Sequence, residues 1–243
     1  MLIPAAGRGS RLGFDKPKIL YPLAGKTILE WLVERFSPFV SQFVLVLSPD
    51  GEAEVRPVAE ALLGSRLKIA IQTSPTGMGD AIQAGLSVVD TPRVSVVWGD
   101  QAALRASTIK STIALHSGLL HPAITFPTLW RDQPYIHFER DENGGLLRLC
   151  QAREGDAMPA RGEGDAGFFC FESTVLRQIL DQLRHLPEGY GAFTKEFLLL
   201  PAFPLAAQSG LTVLTPAFVS AEESVGVNSP ADAQYLNSLL ENY

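Results

Sequence analysis

Leu2-Ile-Pro-Ala5-Ala6-Gly7-Arg8-Gly9-Ser10-Arg11-Leu12-Gly13 opens the chain, with Lys16-Pro17-Lys18 and Leu23-Ala24-Gly25-Lys26 close behind. A short apolar run closed by glycine predicts a buried strand, and the segment after it is flexible and cationic. Gly7 and Gly9 leave backbone N–H groups unshielded, and such groups cradle anions. Arg11, Lys16 and Lys18 add positive charge, and the arginine fork matches phosphate oxygens. The loop reads as a seat for a nucleoside triphosphate. Two familiar phosphate loops fail on spacing. A Gly-x-Gly-x-x-Gly fingerprint needs glycine at position 12, which is Leu12, and a Walker A loop ending in Gly25-Lys26-Thr27 needs glycine where Leu20 stands. On the loop alone, an ordinary strand-to-helix turn with solvated basic residues is the rival reading.

Outward from this loop, strands and helices alternate. Thr27 to Phe36 places Ile28, Leu29, Leu32, Val33 and Phe36 at helical spacing. Phe43–Leu47 is a central strand ended by Ser-Pro-Asp-Gly, Ala53–Leu63 a helix closed by Gly64, and Leu67–Ile71 a third strand. This order predicts right-handed βαβ units and a parallel sheet. Gln72-Thr-Ser-Pro-Thr-Gly77-Met78-Gly79 then lies at the carboxyl end of a parallel strand, where open α/β sheets bind ligands, and its glycines let backbone approach a flat base. Arg93–Trp98 is another strand, ending in Gly99-Asp100. A carboxylate at such a strand tip suits a hard cation, although a turn or helix-capping aspartate is the plainer alternative.

Beyond Asp100 the pattern loosens. Ser107–Leu115 reads as a helix and Pro122–Phe126 as a strand. Pro134–Glu139 and Gly145–Cys150 read as a hairpin around Asp-Glu-Asn-Gly-Gly. Gln151, Arg153 and Glu154 come after it, and Asp165-Ala-Gly167 precedes a strand at Phe168–Phe171. For Gln151 and Asp165, surface polarity is the competing explanation. Ser173–Leu183 and a stretch within Glu188–Leu200 are expected helices, Leu211–Leu214 is a late strand, and a last helix runs from Pro230 to about Leu240. Asn228 or Ser229 would cap that helix.

Composition narrows the classes. The 243 residues are 46% hydrophobic, enough for one substantial core, and the net charge of −6 argues against a general nucleic-acid surface. No run is long and apolar enough to span a membrane, and no signal peptide is expected because the chain opens on a core strand. The two cysteines, Cys150 and Cys170, lack metal-ligand spacing and read as buried thiols of a cytoplasmic protein. No hexapeptide or other internal repeat is present.

The stretch from Ala5 to Leu12, with Lys16-Pro-Lys18 and Leu23-Ala-Gly-Lys26, resembles the signature of nucleotidyltransferases that activate sugar 1-phosphates. Within them it is most similar to the uridylyltransferase domain of N-acetylglucosamine-1-phosphate uridylyltransferase, without its left-handed β-helix acetyltransferase domain. The resemblance recurs at Gln72–Gly79, at Trp98-Gly-Asp100, around Gln151–Gly167 and at Val225-Gly-Val-Asn-Ser229. It implies a Rossmann-like three-layer fold of the glycosyltransferase-A type. The central sheet would be mixed and mostly parallel, with a small sugar-binding β lobe. One domain would cover 1–243, its nucleotide half about 1–115 and its sugar half about 116–243.

The same resemblance implies roles. Ala5, Ala6, Gly7, Arg8, Gly9, Ser10, Gln72, Gly77, Met78 and Gly99 would line the nucleotide. Arg11, Lys18 and Asp100 would be catalytic, and Asp100 with Asn228 would bind magnesium. Gln151, Glu154 and Asp165 would face the sugar. Met78 replaces the family's threonine, Gln151 its glutamate, and Asp165 its asparagine, so the base and the acceptor stay open. Partners would be a nucleoside triphosphate, UTP foremost, and a sugar 1-phosphate. Cytidylyl or guanylyl transfer to a polyol or cyclitol phosphate, and a non-catalytic binding module, are the alternatives.

Overall fold

The computed structural model describes residues 1–118 and 122–241. β1 (Leu2–Pro4) runs into the glycine loop, and β2 (Pro22–Leu23) and β3 (Lys26–Thr27) form a small antiparallel ribbon leading into α1 (Ile28–Phe36). Thr27 starts α1 with a capping box. Its hydroxyl accepts from the Glu30 N–H at 3.2 Å while the Glu30 carboxylate accepts from the Thr27 N–H at 2.6 Å, satisfying two donors that a helix start leaves orphaned. β4 (Phe43–Leu47) is followed at once by α2 (Pro49–Leu63). The Ser-Pro-Asp-Gly expected as a turn instead begins this helix. Ser48 accepts from the Gly51 N–H at 3.1 Å, and Pro49 sits in the first turn, where its missing N–H is harmless. β5 (Leu67–Ile71), α3 (Met78–Leu86), β6 (Arg93–Val97) and α4 (Ala106–His116) complete the βαβ half.

β7 (Ile124–Thr125), β8 (Thr128–Asp132), β9 (Ile136–Arg140), β10 (Leu146–Gln151), β11 (Arg161–Asp165) and β12 (Phe168–Glu172) come next. α5 (Ser173–Arg184), α6 (Ala202–Gln208), β13 (Val213–Leu214) and α7 (Pro230–Leu240) close the chain. The seven-stranded central sheet has the order β13-β7-β12-β6-β1-β4-β5. Its pairs are parallel except those of β12, which is antiparallel to both β6 and β7. Successive strand residues point to opposite faces. Ile3, Leu45, Leu47 and Phe168 pack with α1, α2 and α7 on one side. Leu2, Val44, Val46, Phe169 and Phe171 pack with α3, α5 and α6 on the other. Two covered faces are why Phe43–Leu47 and Phe168–Phe171 read as unbroken apolar runs.

The lobe is built from two antiparallel ribbons, β9–β10 and β8–β11. The expected hairpin is β9–β10, its turn held by Asp141 Oδ1, which accepts from the N–H groups of Asn143 (2.9 Å) and Gly145 (2.8 Å). β8 and β11 are not legible as strands in the sequence, because their buried positions are Thr128, Leu129, Gly162, Glu163 and Gly164, with a single large apolar side chain among them. Glu163 is 3% exposed. It receives both arms of Arg140, at 2.7 and 2.8 Å, and the Thr128 hydroxyl at 2.6 Å. Phe126 joins lobe to sheet, lying 5.2 Å from Phe138 and stacked on Phe203 at 4.6 Å. Both cysteines are buried and unpaired. Burial pushes the Cys150 thiol up to about 11 and the Cys170 thiol up to about 12.

One expected helix does not form. Residues of Glu188–Leu200 run as a short 3-10 turn (Pro187–Gly189) and an irregular segment, and the helix begins only at Ala202. Lys195 adopts φ +59. The run Phe197–Leu200 is buried throughout and offers no polar helix face. Its backbone finds partners elsewhere: the Phe197 N–H donates to the Thr76 carbonyl and the Leu198 N–H to the Gly189 carbonyl, each at 2.8 Å.

Candidate active site

The glycine loop closes on itself. The Gly9 N–H donates to the Lys16 carbonyl at 3.1 Å and the Lys18 N–H to the Gly7 carbonyl at 3.0 Å. Ser10–Leu12 is one 3-10 turn, ended by Gly13 at φ +65. Gly9 therefore does not offer a free donor, contrary to the expectation from sequence: closing the loop uses its N–H. Among the described residues, the N–H groups of Gly7, Arg8 and Ser10 have no backbone acceptor and are open to an anion. Ala5 continues the sheet, donating to the Val46 carbonyl at 2.8 Å, and Ala6 leads from it into the loop. Arg11 is exposed. Arg8 is exposed too and pairs with Asp50 in the first turn of α2.

Three distant residues meet just past the carboxyl end of β6. Lys18 Nζ donates to Asp100 Oδ2 at 2.7 Å and to Asn228 Oδ1 at 2.9 Å. The segment carrying Asn228 is fixed against Asp100. The Val227 N–H donates to the Asp100 carbonyl at 3.2 Å, and a Cβ on Gly226 would stand 3.0 Å from Asp100 Cγ. Ser229 takes the capping role, accepting from the Asp232 N–H at 3.2 Å, while Asp232 Oδ2 receives the N–H groups of Asn228 and Ser229 at 3.1 and 2.8 Å. Capping thus leaves the Asn228 side chain available. Two oxygens converging on one cationic position is donor chemistry that fits a hard divalent ion such as Mg²⁺. Among the described residues no group of three or more His, Cys, Asp or Glu could hold a metal. That also suits an ion taking its other ligands from substrate phosphates and water.

Gln72–Gly79 forms the next wall. Gln72 Nε2 donates to the Gly77 carbonyl at 2.9 Å, leaving Oε1 as an acceptor. Gly77 adopts φ +124, and a Cβ there would collide with the Phe197 carbonyl. The Gly79 N–H donates to that same carbonyl at 2.8 Å. Met78 is the first residue of α3 and packs half-buried on the core. Gly99 lets the strand tip pass the Pro4 carbonyl, 2.5 Å from where a Cβ would be.

The residues expected to face the sugar divide. Asp165 Oδ1 accepts from the Gly167 N–H at 2.7 Å, and the Gly167 carbonyl accepts from the Trp98 N–H at 2.9 Å, so Asp165 lies on the Asp100 side. Burial raises the Asp165 carboxyl above its ordinary value, against the Gly167 N–H and Arg131, which favour its charge. Gln151 ends β10 half-buried, its N–H donating to Asp156 at 2.8 Å. Glu154 is buried, and its oxygens accept from the N–H groups of Phe193 (3.0 Å) and Thr194 (3.2 Å) and from the Thr194 hydroxyl (2.8 Å). Burial pushes this carboxyl up, but those bonds outweigh it and hold it low. Its visible task is to hang the 191–196 loop. Thr194 lies in the stretch expected as a helix, whereas Phe197 and Arg131, which donates to the Ser224 hydroxyl ahead of Asn228, carry no signal in the sequence. The Phe197 clasp is backbone only and leaves no residue-type signal.

A glycine loop after β1, a strand-tip carboxylate after β6 and a second glycine turn after β5 thus stand at the carboxyl ends of parallel strands, where open α/β sheets bind ligands. The chain belongs to the family of MobA-like NTP transferase domains, whose model matches residues 1–192. It is 30% identical over 251 residues to the bifunctional protein GlmU of Mycobacterium bovis, covering 99% of this chain and 49% of that protein. It is 29% identical over 239 residues to GlmU of Pelobacter propionicus, covering 95% and 49%. The chain thus spans about half the length of the curated relatives it matches. Among solved structures, a nucleoside-diphosphate-sugar pyrophosphorylase from Vibrio cholerae is similar with TM-score 0.75 at 16% identity, covering 98% of this chain and all of that one. The inositol-1-phosphate CTP transferase of T. maritima is similar with TM-score 0.73 at 17% identity, covering 99% and 95%. At those identities the likeness shows the fold. No helix among the described residues is long and apolar enough to cross a membrane.

Proposed function

We propose that the chain transfers a nucleotidyl group from a nucleoside triphosphate, UTP first among them, to a sugar 1-phosphate, releasing pyrophosphate. The observation that carries this reading is the convergence of Lys18, Asp100 and Asn228 on one cation position beside the glycine loop. An acceptor phosphate oxygen attacks the α-phosphorus in line. The bond from that phosphorus to the bridging oxygen breaks, and pyrophosphate leaves with the electron pair. Catalysis then consists of positioning and charge neutralisation.

In this reading the N–H groups of Gly7, Arg8 and Ser10, with Arg11, bind the β- and γ-phosphates. Lys18 offsets charge at the reacting phosphates. Asp100 and Asn228 would hold Mg²⁺, which when bound supplies further charge neutralisation on phosphate oxygens. Gln72 and the backbone from Gly77 to Gly79 hold the base, and the free Gln72 Oε1 suits the N3–H of uracil. The same oxygen could take the amine of cytosine, and Met78 departs from the family's threonine, so cytidylyl transfer is the second reading. Ala5, Ala6, Gly9 and Gly99 shape the floor. Asp165, Gln151 and Glu154 belong to the acceptor half, about 116–243, and the nucleotide half is about 1–115. Two buried free thiols suit a reducing compartment, and the cytoplasm is the proposed location.

Pyrophosphate release with Mg²⁺, crossing UTP, CTP, GTP, ATP and dTTP with sugar and polyol phosphates, tests the proposal. One productive pair lost in Asp100→Asn is expected. Near-normal turnover of that variant would sink the site assignment.

A further inference from the structure

The groups that face the cation position differ sharply in freedom. Asp100 is held by the Val227 N–H on its carbonyl, and Asn228 by the Asp232 carboxylate on its N–H, at 3.2 and 3.1 Å. A Cβ on Gly226 would stand only 3.0 Å from Asp100 Cγ, so a side chain there would crowd the carboxylate. Lys18 has a fixed backbone, donating to the Gly7 carbonyl at 3.0 Å, but its ammonium ends a four-carbon stem and is held only at its tip by the two oxygens. Its side chain and that of Asp100 are only 20% and 19% exposed, so water screens the pair poorly. A divalent cation and an ammonium cannot share that seat.

We infer that Lys18 is a resident placeholder for the divalent cation. It fills the Asp100–Asn228 seat while the nucleotide is absent, and it swings onto phosphate oxygens when the nucleotide brings an alternative anion. The cation is thereby admitted together with its triphosphate rather than before it. This rests on the proposed assignment of Asp100 and Asn228 as cation ligands. It adds that Lys18 opposes metal binding in the free protein, a role distinct from its contact with the reacting phosphates.

The test is Mn²⁺ binding to the whole chain without nucleotide, monitored by electron paramagnetic resonance and calorimetry, with melting curves to verify that each variant is folded. Lys18→Met is expected to bind Mn²⁺ at least about tenfold more tightly than the unaltered chain, because an unscreened repulsion is gone. Lys18→Gln, which keeps a polar tip without the charge, should show the same direction. Asp100→Asn in the Lys18→Met background should abolish the gain. If the Lys18 variants bind Mn²⁺ no more tightly than the unaltered chain, while Asp100→Asn in the otherwise unaltered chain weakens Mn²⁺ binding in the presence of nucleotide, the placeholder role is overturned and the ligand assignment stands; if Asp100→Asn leaves that binding unchanged, both fail. If the gain survives Asp100→Asn, the ion is elsewhere and the ligand assignment itself fails.

Discussion

Two irregular loops flank the candidate site, each closed by an antiparallel bridge of its own, and they differ in what else holds them. The loop from Gly7 to Lys18 is tied to itself, through Gly9 to Lys16 and Lys18 to Gly7. The loop from Tyr190 to Phe197 closes on itself as well, through a Tyr190–Phe197 bridge and the Gly191 N–H on the Glu196 carbonyl at 2.9 Å, but it is also hung on others. Glu154 reaches it across 39 and 40 residues, Arg153 pairs with Glu196 at 2.6 Å, and Phe197 clasps Thr76 and Gly79. A self-closed loop carries its instructions within a dozen residues. A suspended loop depends on a remote carboxylate and on backbone that has no residue-type signature. The second links Glu154 to the turn at Thr76–Gly79.

Substitutions can break or sharpen this contrast. Asp100→Asn leaves the backbone bonds of both loops in place and removes only the charged partner of the Lys18 ammonium. It should lower turnover by about a thousandfold with a melting temperature near that of the unaltered chain, read by steady-state kinetics beside calorimetry. Gly77→Ala strikes the junction of the two halves, where a Cβ meets the Phe197 carbonyl at a backbone angle that disfavours side chains. It should cost about 2–3 kcal/mol in denaturant unfolding and open both the 73–79 and 190–197 segments to limited proteolysis.

Glu154→Gln should release the suspended loop alone. A loss of about 1–3 kcal/mol and proteolysis confined to 191–196 are expected, with a raised acceptor KM and little change in that for the nucleotide. Removing Arg8, whose pairing with Asp50 is almost fully solvated, should change stability by less than about 0.5 kcal/mol. A large effect there would show that the first loop is less self-sufficient than its hydrogen bonds indicate.

Acid should attack the lobe. Glu163 is pushed up by burial, but the Arg140 fork and the Thr128 hydroxyl outweigh this and hold it below its ordinary 4.5. Its contribution is therefore complete above that value and fades as pH falls through the lower folded value. Unfolding monitored from pH 6 downward should steepen below about pH 4.5, and Glu163→Gln should flatten that dependence.

Legibility in the residues divides along the same line. The βαβ half is legible because its strands are mostly apolar, wholly so in β4, and the glycine loop, Asp100 and Asn228 sit at element ends that glycine and proline mark. The Ser48-Pro49 start of α2 reads as a turn, since the same residues serve either purpose. β8 and β11 are invisible because a buried carboxylate paired with arginine looks like surface. The 188–200 segment has helix-like apolar content, but glycines, a left-handed Lys195 and the Phe197 clasp override it. The meeting of Lys18, Asp100 and Asn228 is expected only through resemblance; no local pattern places residues 82 and 210 positions apart side by side.

The reversed strand β12 has a consequence for how such a domain diversifies. Because Phe168 lies opposite Val97, the turn that feeds β12 emerges at the edge where the parallel strands end. An all-parallel sheet offers that edge only loops that leave strands. Here one loop arrives, bringing Asp165 against Trp98–Asp100 from a segment separate from the glycine loop. Under the proposed assignment, acceptor preference and nucleotide handling are written on separate stretches of chain, and drift in the Asp165–Gly167 turn can try new acceptors while the glycine loop is inherited intact.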